Sequence, residues 1–186
     1  MTRSNQEMAK ESKTIPVVSI VGKSDTGKTT LIEKLIPELT RRGYRVATIK
    51  HDVHGFDIDH EGKDSWRHKK AGARMTVLSS PWRVAVVADV EKDHDIAELR
   101  DIYIHDVDII ITEGYKKNPY PKIEVFRAYR KGSLISRGDE NLLAVAGDRP
   151  PEISVPFFSG NDIKGIVDLI ESKFLHHNFS LDILIP

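Results

Sequence analysis

The sequence predicts an α/β fold: a mostly parallel central sheet flanked by helices, with a β-hairpin insertion. Three observations lead there. A short β-branched run, Pro16-Val-Val-Ser-Ile-Val21, stops at Gly22. A helical pattern follows from Lys28, and a second β-rich run, Arg45-Val-Ala-Thr-Ile49, comes after it. Strand, helix, strand in that order is a βαβ unit, which implies parallel pairing of the two strands and a right-handed crossover.

The first run has the composition of a strand covered on both faces. In the helix, Leu31, Ile32, Leu35, Ile36 and Leu39 recur at helical spacing. Gly43 suits the C′ position past its last turn, and Pro37 inside the pattern is a candidate kink. Lys50 to Asp64 carries His, Asp and Gly without periodicity and reads as a long surface loop, often a functional feature. Ser65 to Ala71 predicts a short helix ended by Gly72. Arg74 to Ser79 and Arg83 to Ala88 predict a hairpin turning at Ser80-Pro81-Trp82. Asp95 to Ile104 is helical in pattern. Further strands are expected at Val107 to Thr112, Lys122 to Phe126, Leu142 to Ala146 and Pro156 to Ser159, with a closing amphipathic helix over Asp162 to Phe174. One domain is expected over 15–175. A polar leader (1–14), expected to be disordered, precedes it. A tail (176–186) follows, ending in the apolar Ile183-Leu-Ile-Pro186.

Composition narrows the function classes. A chain of 186 residues suffices for one α/β domain and is short for two. Lys plus Arg number 28 and Asp plus Glu 28, so there is no basic excess of the kind a polyanion-binding protein carries, and nucleic acid is not the expected partner. With 39% hydrophobic and 30% charged residues the chain is neither disordered nor membrane-spanning in composition, and no apolar run approaches the roughly 18–20 residues of a membrane helix. The absence of Cys excludes disulfides, thiolate metal sites, iron–sulfur clusters and a cysteine nucleophile. The leader has no apolar core of a signal peptide, and a cytoplasmic location is expected.

The motif that carries chemistry is Gly22-Lys23-Ser24-Asp25-Thr26-Gly27-Lys28-Thr29, followed by Thr30. It matches the phosphate-binding P-loop at every fixed position, between a buried strand and an amphipathic helix as that loop requires. The glycines let backbone N–H groups turn inward around phosphates, and the helix N-terminus adds donors and partial positive charge. Lys28 is expected to reach the β- and γ-phosphates, and the Thr29 hydroxyl to ligate Mg²⁺. Lys23 has two readings. It resembles the signature lysine of the deviant P-loop ATPases and GTPases, which reaches across a dimer to the partner's nucleotide; or it is a solvated loop lysine that raises the local potential. Ser24 and Asp25 stand where that class usually has glycine.

A P-loop also needs an acidic residue at the carboxyl end of a neighbouring strand. Glu113 closes the run Asp108-Ile-Ile-Ile-Thr-Glu113 at that end, and Gly114 after it permits close approach of backbone to a phosphate; Asp108, at the opposite end, reads as structural. Asp52 follows the second β-run, beside the P-loop strand, where a carboxylate can join the Mg²⁺ shell or position a water. His51, His54 and His60 surround it, but their spacing is not a standard zinc pattern, and the loop reads better as a phosphate, substrate or partner surface. Asp148 follows Leu142 to Ala146, where a carboxylate can accept from guanine's N1–H and 2-amino group; a plain turn role before Arg149-Pro150 fits equally well.

The P-loop, Ile49-Lys-His-Asp-Val-His-Gly55, Gly62-Lys-Asp-Ser-Trp-Arg-His68 with Ala71-Gly-Ala73, Thr112-Glu-Gly-Tyr-Lys116, Pro121-Lys122 and Phe158-Ser159 together resemble the molybdopterin-guanine dinucleotide biosynthesis protein B family, in order over about Val17 to Phe174. The resemblance implies a fold of the deviant P-loop NTPase superclass. It also implies a homodimeric GTP-binding adaptor with weak GTPase activity in molybdenum cofactor maturation. Its partners there would be a molybdopterin guanylyltransferase and molybdopterin. It assigns Lys28 and Thr29 to phosphate and Mg²⁺, Glu113 to the Mg²⁺ end, Asp52 to the loop above and Asp148 to guanine. No residue marks itself as an efficient general base and no arginine finger is identifiable, so slow hydrolysis is expected. A small-molecule kinase or a nickel-type metallochaperone GTPase are the competing readings.

Overall fold

Val17–Val21 forms the first strand, β1, and all five residues are buried, as a β-branched strand with two covered faces requires. In chain order there follow α1 (Lys28–Arg41), β2 (Val46–Lys50), α2 (Asp64–Lys70), β3 (Met75–Ser79), β4 (Val84–Ala88), α3 (Ile96–Tyr103), β5 (Ile109–Glu113), β6 (Lys122–Phe126), β7 (Leu142–Gly147), β8 (Phe157–Ser159) and α4 (Ile163–Ile170), which runs on into a π-helical turn, Glu171–Leu175. The computed structural model describes residues 14–129 and 133–175. The expectations for the tail, and for the leader up to residue 13, fall outside those residues.

The elements match the sequence expectation closely. The helix α1 runs through Pro37 and ends where Gly43 predicts. Gly43, at φ 92°, donates to the Thr40 carbonyl, and Tyr44 N–H donates to the Leu39 carbonyl, the paired bonds of a Schellman stop.

The described residues fall into two compact units. One takes in the residues up to His51 and from Ile104 onward; the other is Asp52–Tyr103. The first holds a six-stranded sheet in the order β2-β5-β1-β6-β7-β8, parallel throughout. One expectation is corrected here. β2 does not pair with β1; β5 lies between them, with Ile110 opposite Val17 and Ala47. The burial pattern gives the reason. Ile109, Ile110 and Ile111 are wholly buried and need an interior position, whereas β2 exposes Thr48 and Lys50 and tolerates an edge. α1 and α4 bury Leu31, Leu35, Leu39, Ile166, Val167 and Ile170 against Val18, Ile20, Ile111, Ile123 and Val125 on one sheet face.

The opposite face of β6 is polar yet buried. Lys122 ammonium donates to the Asn118 carbonyl at 2.6 Å and pairs with Asp139 at 2.9 Å. Glu124 accepts from the N–H groups of Ile135 and Ser136. Each charge thus pins one loop and is itself satisfied, as a buried charge must be. The second unit holds α2, the antiparallel hairpin β3–β4 and α3. The hairpin turns at Ser80–Arg83, where the Ser80 hydroxyl accepts from Arg83 N–H.

Candidate functional site

The carboxyl ends of β1, β5 and β6 meet at the loop Gly22–Gly27. Gly22 (φ 146°) is required there by space: a Cβ would sit 2.6 Å from the Val125 carbonyl oxygen and 2.9 Å from Thr26 Oγ1. Inside the loop the Lys23 carbonyl accepts twice, from Thr26 Oγ1 at 3.0 Å and from Lys28 Nζ at 2.9 Å. Asp25 takes a left-handed conformation, φ 56°, which Asp tolerates better than most residues. Gly27 (φ 95°) caps α1 without a side chain, so the helix N-terminus opens onto the loop. Ser24, Asp25, Thr29 and Thr30 are exposed and Lys23 is half-buried.

Glu113 reaches the first turn of α1. Thr29 Oγ1 lies 3.0 Å from both of its carboxylate oxygens and donates to that carboxylate. Burial pushes the Lys28 ammonium below its ordinary range. The Glu113 charge opposes this, and the charges of Lys116 and Lys50 add to the depression. Gly114 (φ 103°) turns the chain beside β2, where the His51 carbonyl lies 3.5 Å from the position of a Cβ. His51 N–H donates to the Glu113 carbonyl, and its ring stacks on Tyr115 with centroids 4.5 Å apart.

The structure therefore brings together Gly22 to Thr30, Glu113 and Gly114. Asp52 opens the second unit, is exposed, and its carboxylate accepts from His54 N–H. Asp148 follows β7, two strands from β1 on the same edge, and accepts from Ala128 N–H at 2.9 Å. Asp108 pairs with Arg45 at the amino end, as its position predicts, and this partner holds its carboxyl below the usual range. Among the described residues no three His, Asp or Glu side chains converge on a point suited to a metal ion.

One side chain was missed. Arg127 directly follows β6, and its Nε donates to the Thr26 carbonyl at 3.0 Å. The rule that selects Glu113, a polar residue at the carboxyl end of a strand beside β1, also selects Arg127.

A parallel sheet whose central strand feeds a Gly-x-x-x-x-Gly-Lys-Thr turn into a helix, with an acid closing the next strand, defines an α/β protein of the P-loop class. Residues 17–148 match the family model described as molybdopterin guanine dinucleotide synthesis protein B. The chain belongs to this family, MobB, of molybdopterin-guanine dinucleotide biosynthesis adapter proteins. It is 42% identical over 164 residues to the molybdopterin-guanine dinucleotide biosynthesis adapter protein of Haemophilus influenzae, covering 88% of this chain and 91% of that one. To the adapter protein of Escherichia coli it is 37% identical over 162 residues, covering 84% and 91%. A crystal structure of molybdopterin-guanine biosynthesis protein B superposes with a TM-score of 0.69 at 31% identity, covering 85% of this chain and 98% of that one. No described helix is long and apolar enough to cross a membrane.

Proposed function

We propose that this chain is a homodimeric, cytoplasmic GTP-binding adapter. It assists a molybdopterin guanylyltransferase, which attaches GMP to molybdopterin, and hydrolyses GTP weakly on its own. The observation that carries the reading is the contact of Thr29 Oγ1 with both oxygens of Glu113 at 3.0 Å, beside a loop that only glycine can close at position 22. A hydroxyl and a carboxylate meeting at a phosphate loop form a hard oxygen donor set, the kind that suits Mg²⁺. Bound there, Mg²⁺ supplies positive charge to the β- and γ-phosphate oxygens.

The chain's own groups divide the remaining work. The loop N–H groups and the open N-terminus of α1 receive phosphate oxygens. Lys28 exchanges the Lys23 carbonyl for the β- and γ-phosphates, whose negative charge favours its protonated form. Asp148, exposed at the same sheet edge, is the proposed reader of guanine's N1–H and 2-amino group. The hairpin supports the dimer. Met75, Val77, Val84 and Val86 are exposed on a two-stranded sheet, and Trp82 at its turn is 91% exposed. Two strands alone are marginal, and the same hairpin of a second copy would extend the ladder and cover these side chains.

Calorimetry with Mg·GTP and Mg·ATP in parallel tests the reading. The expected result is saturable GTP binding, clear preference over ATP and slow turnover by the purified chain. Preference for ATP, with phosphorylation of an alcohol acceptor, would instead mark a small-molecule kinase.

A further inference from the structure

Arg127 lies between two glycines at the carboxyl edge of the sheet. Its Nε donates to the Thr26 carbonyl at 3.0 Å. Its Nη2 sits 3.3 Å from where a Cβ on Gly27 would stand, and Nη1 and Nη2 sit 3.5 and 3.6 Å from the corresponding point on Gly160. The backbone next to it is held as well, because Asp148 accepts from Ala128 N–H. A hydrogen-bonded chain thus runs from the end of β7, through Ala128 and Arg127, to the carbonyl that precedes Gly27.

The Thr26 carbonyl and the Gly27 N–H belong to one planar trans peptide and point in opposite directions. With the carbonyl held against a guanidinium, the Gly27 N–H is directed the other way. A fixed positive charge on the carbonyl side also polarises the peptide, making that N–H a stronger donor to an anion. Arg127 is always charged, and among the described residues its guanidinium is set by one bond to the Thr26 carbonyl.

We propose that Arg127 is a positioning residue for anion binding: it fixes the Thr26–Gly27 peptide so that the loop is organised to receive a polyphosphate before one arrives. This rests on the proposal that the loop binds a nucleoside triphosphate. It adds that the group setting the loop comes from β6, outside the motif, and that its effect is felt by the phosphates rather than by the base.

The test compares Mg·GTP with magnesium tripolyphosphate, which has the phosphates and no nucleoside, on wild type, Arg127→Ala and Arg127→Lys. Arg127→Ala is expected to weaken both ligands by the same factor, roughly tenfold or more, as loss of a charged hydrogen bond at a preorganised site would. Added guanidinium ion should restore part of the affinity of Arg127→Ala, and thermal melting should show a folded chain. Arg127→Lys, which keeps the charge without the fork, should fall between; it carries the comparison if the alanine variant does not fold. Unchanged affinity in the variants overturns the proposal, as does a loss confined to GTP with tripolyphosphate bound normally. Wild-type chain that binds neither ligand overturns the nucleotide reading itself, and this proposal with it.

Discussion

At the amino end of the sheet, Arg42 pairs with Glu38, Asp168 and Glu171, and Arg45 pairs with Asp108. At the carboxyl end, Lys28 rests on a backbone carbonyl and Glu113 on a hydroxyl. Acid and base are close at both ends: at the amino end they pair directly, while at the carboxyl end Lys28 and Glu113 act on each other through charge without a direct bond. Hydrogen bonds donated by Arg41 and Arg42 pull Glu38 down to about 2, and the hydrogen bonds that Arg42 donates to Asp168, Glu38 and Glu171 hold it above its ordinary range. Lys28 moves the opposite way from Arg42, because burial outweighs the attraction of Glu113. Charges closed on one another hold α1 to α4, whereas Lys28 and Glu113 are held by a backbone carbonyl and a hydroxyl.

This contrast separates binding from stability, and four measurements probe it. The largest effect is expected from Lys28→Ala, which should weaken Mg·GTP on the order of a hundredfold in calorimetry and leave the melting temperature unchanged. A large fall in melting temperature would erase the distinction between the two ends. Glu113→Gln should cut the gain in GTP affinity from added Mg²⁺ by about tenfold, while metal-free binding changes little. Arg42→Ala reverses the pattern: GTP affinity is retained and the melting temperature falls by about 2–6 °C, because Glu38 and Glu171 lose their common partner.

The smallest effect is a pH limb. Burial, reinforced by the hydrogen bond to Glu171, raises Tyr44 from 10.0 to about 12. The folded state therefore holds the phenol proton more tightly than the unfolded chain. That contribution is complete below pH 10 and is lost as pH rises from 10 towards about 12. Urea titrations across this range should show the loss in wild type and a flatter limb in Tyr44→Phe.

Much of this was legible in the chain. The loop from Gly22, the stop at Gly43 and the placement of Asp108 and Glu113 at opposite ends of β5 follow from local stereochemistry and from which end of a strand a residue occupies. The position of β5 between β1 and β2 was not, since pairing order depends on which strand most needs burial, a competition among distant segments. β6 was legible as a strand, but Lys122 and Glu124 alternate with apolar residues, a pattern that ordinarily marks a wet face. Both are buried because the chain around Asn118 and Asp139, and around Ile135 and Ser136, folds over them. Arg127 sits outside the motif, so no spacing rule within the loop points to it.

The interleaving of the strands also bears on how the chain matures. Thr29 and Glu113 are 84 residues apart, and Thr26 and Arg127 are 101 apart. A nascent chain on the ribosome holds the entire Gly22–Thr29 motif long before either flanking strand has been made. Closing such long loops is entropically slow, and neither flank helps the loop until it is paid for. Under the proposed function, tight triphosphate binding is a late event of synthesis, and its appearance marks a chain whose sheet has been completed through β6.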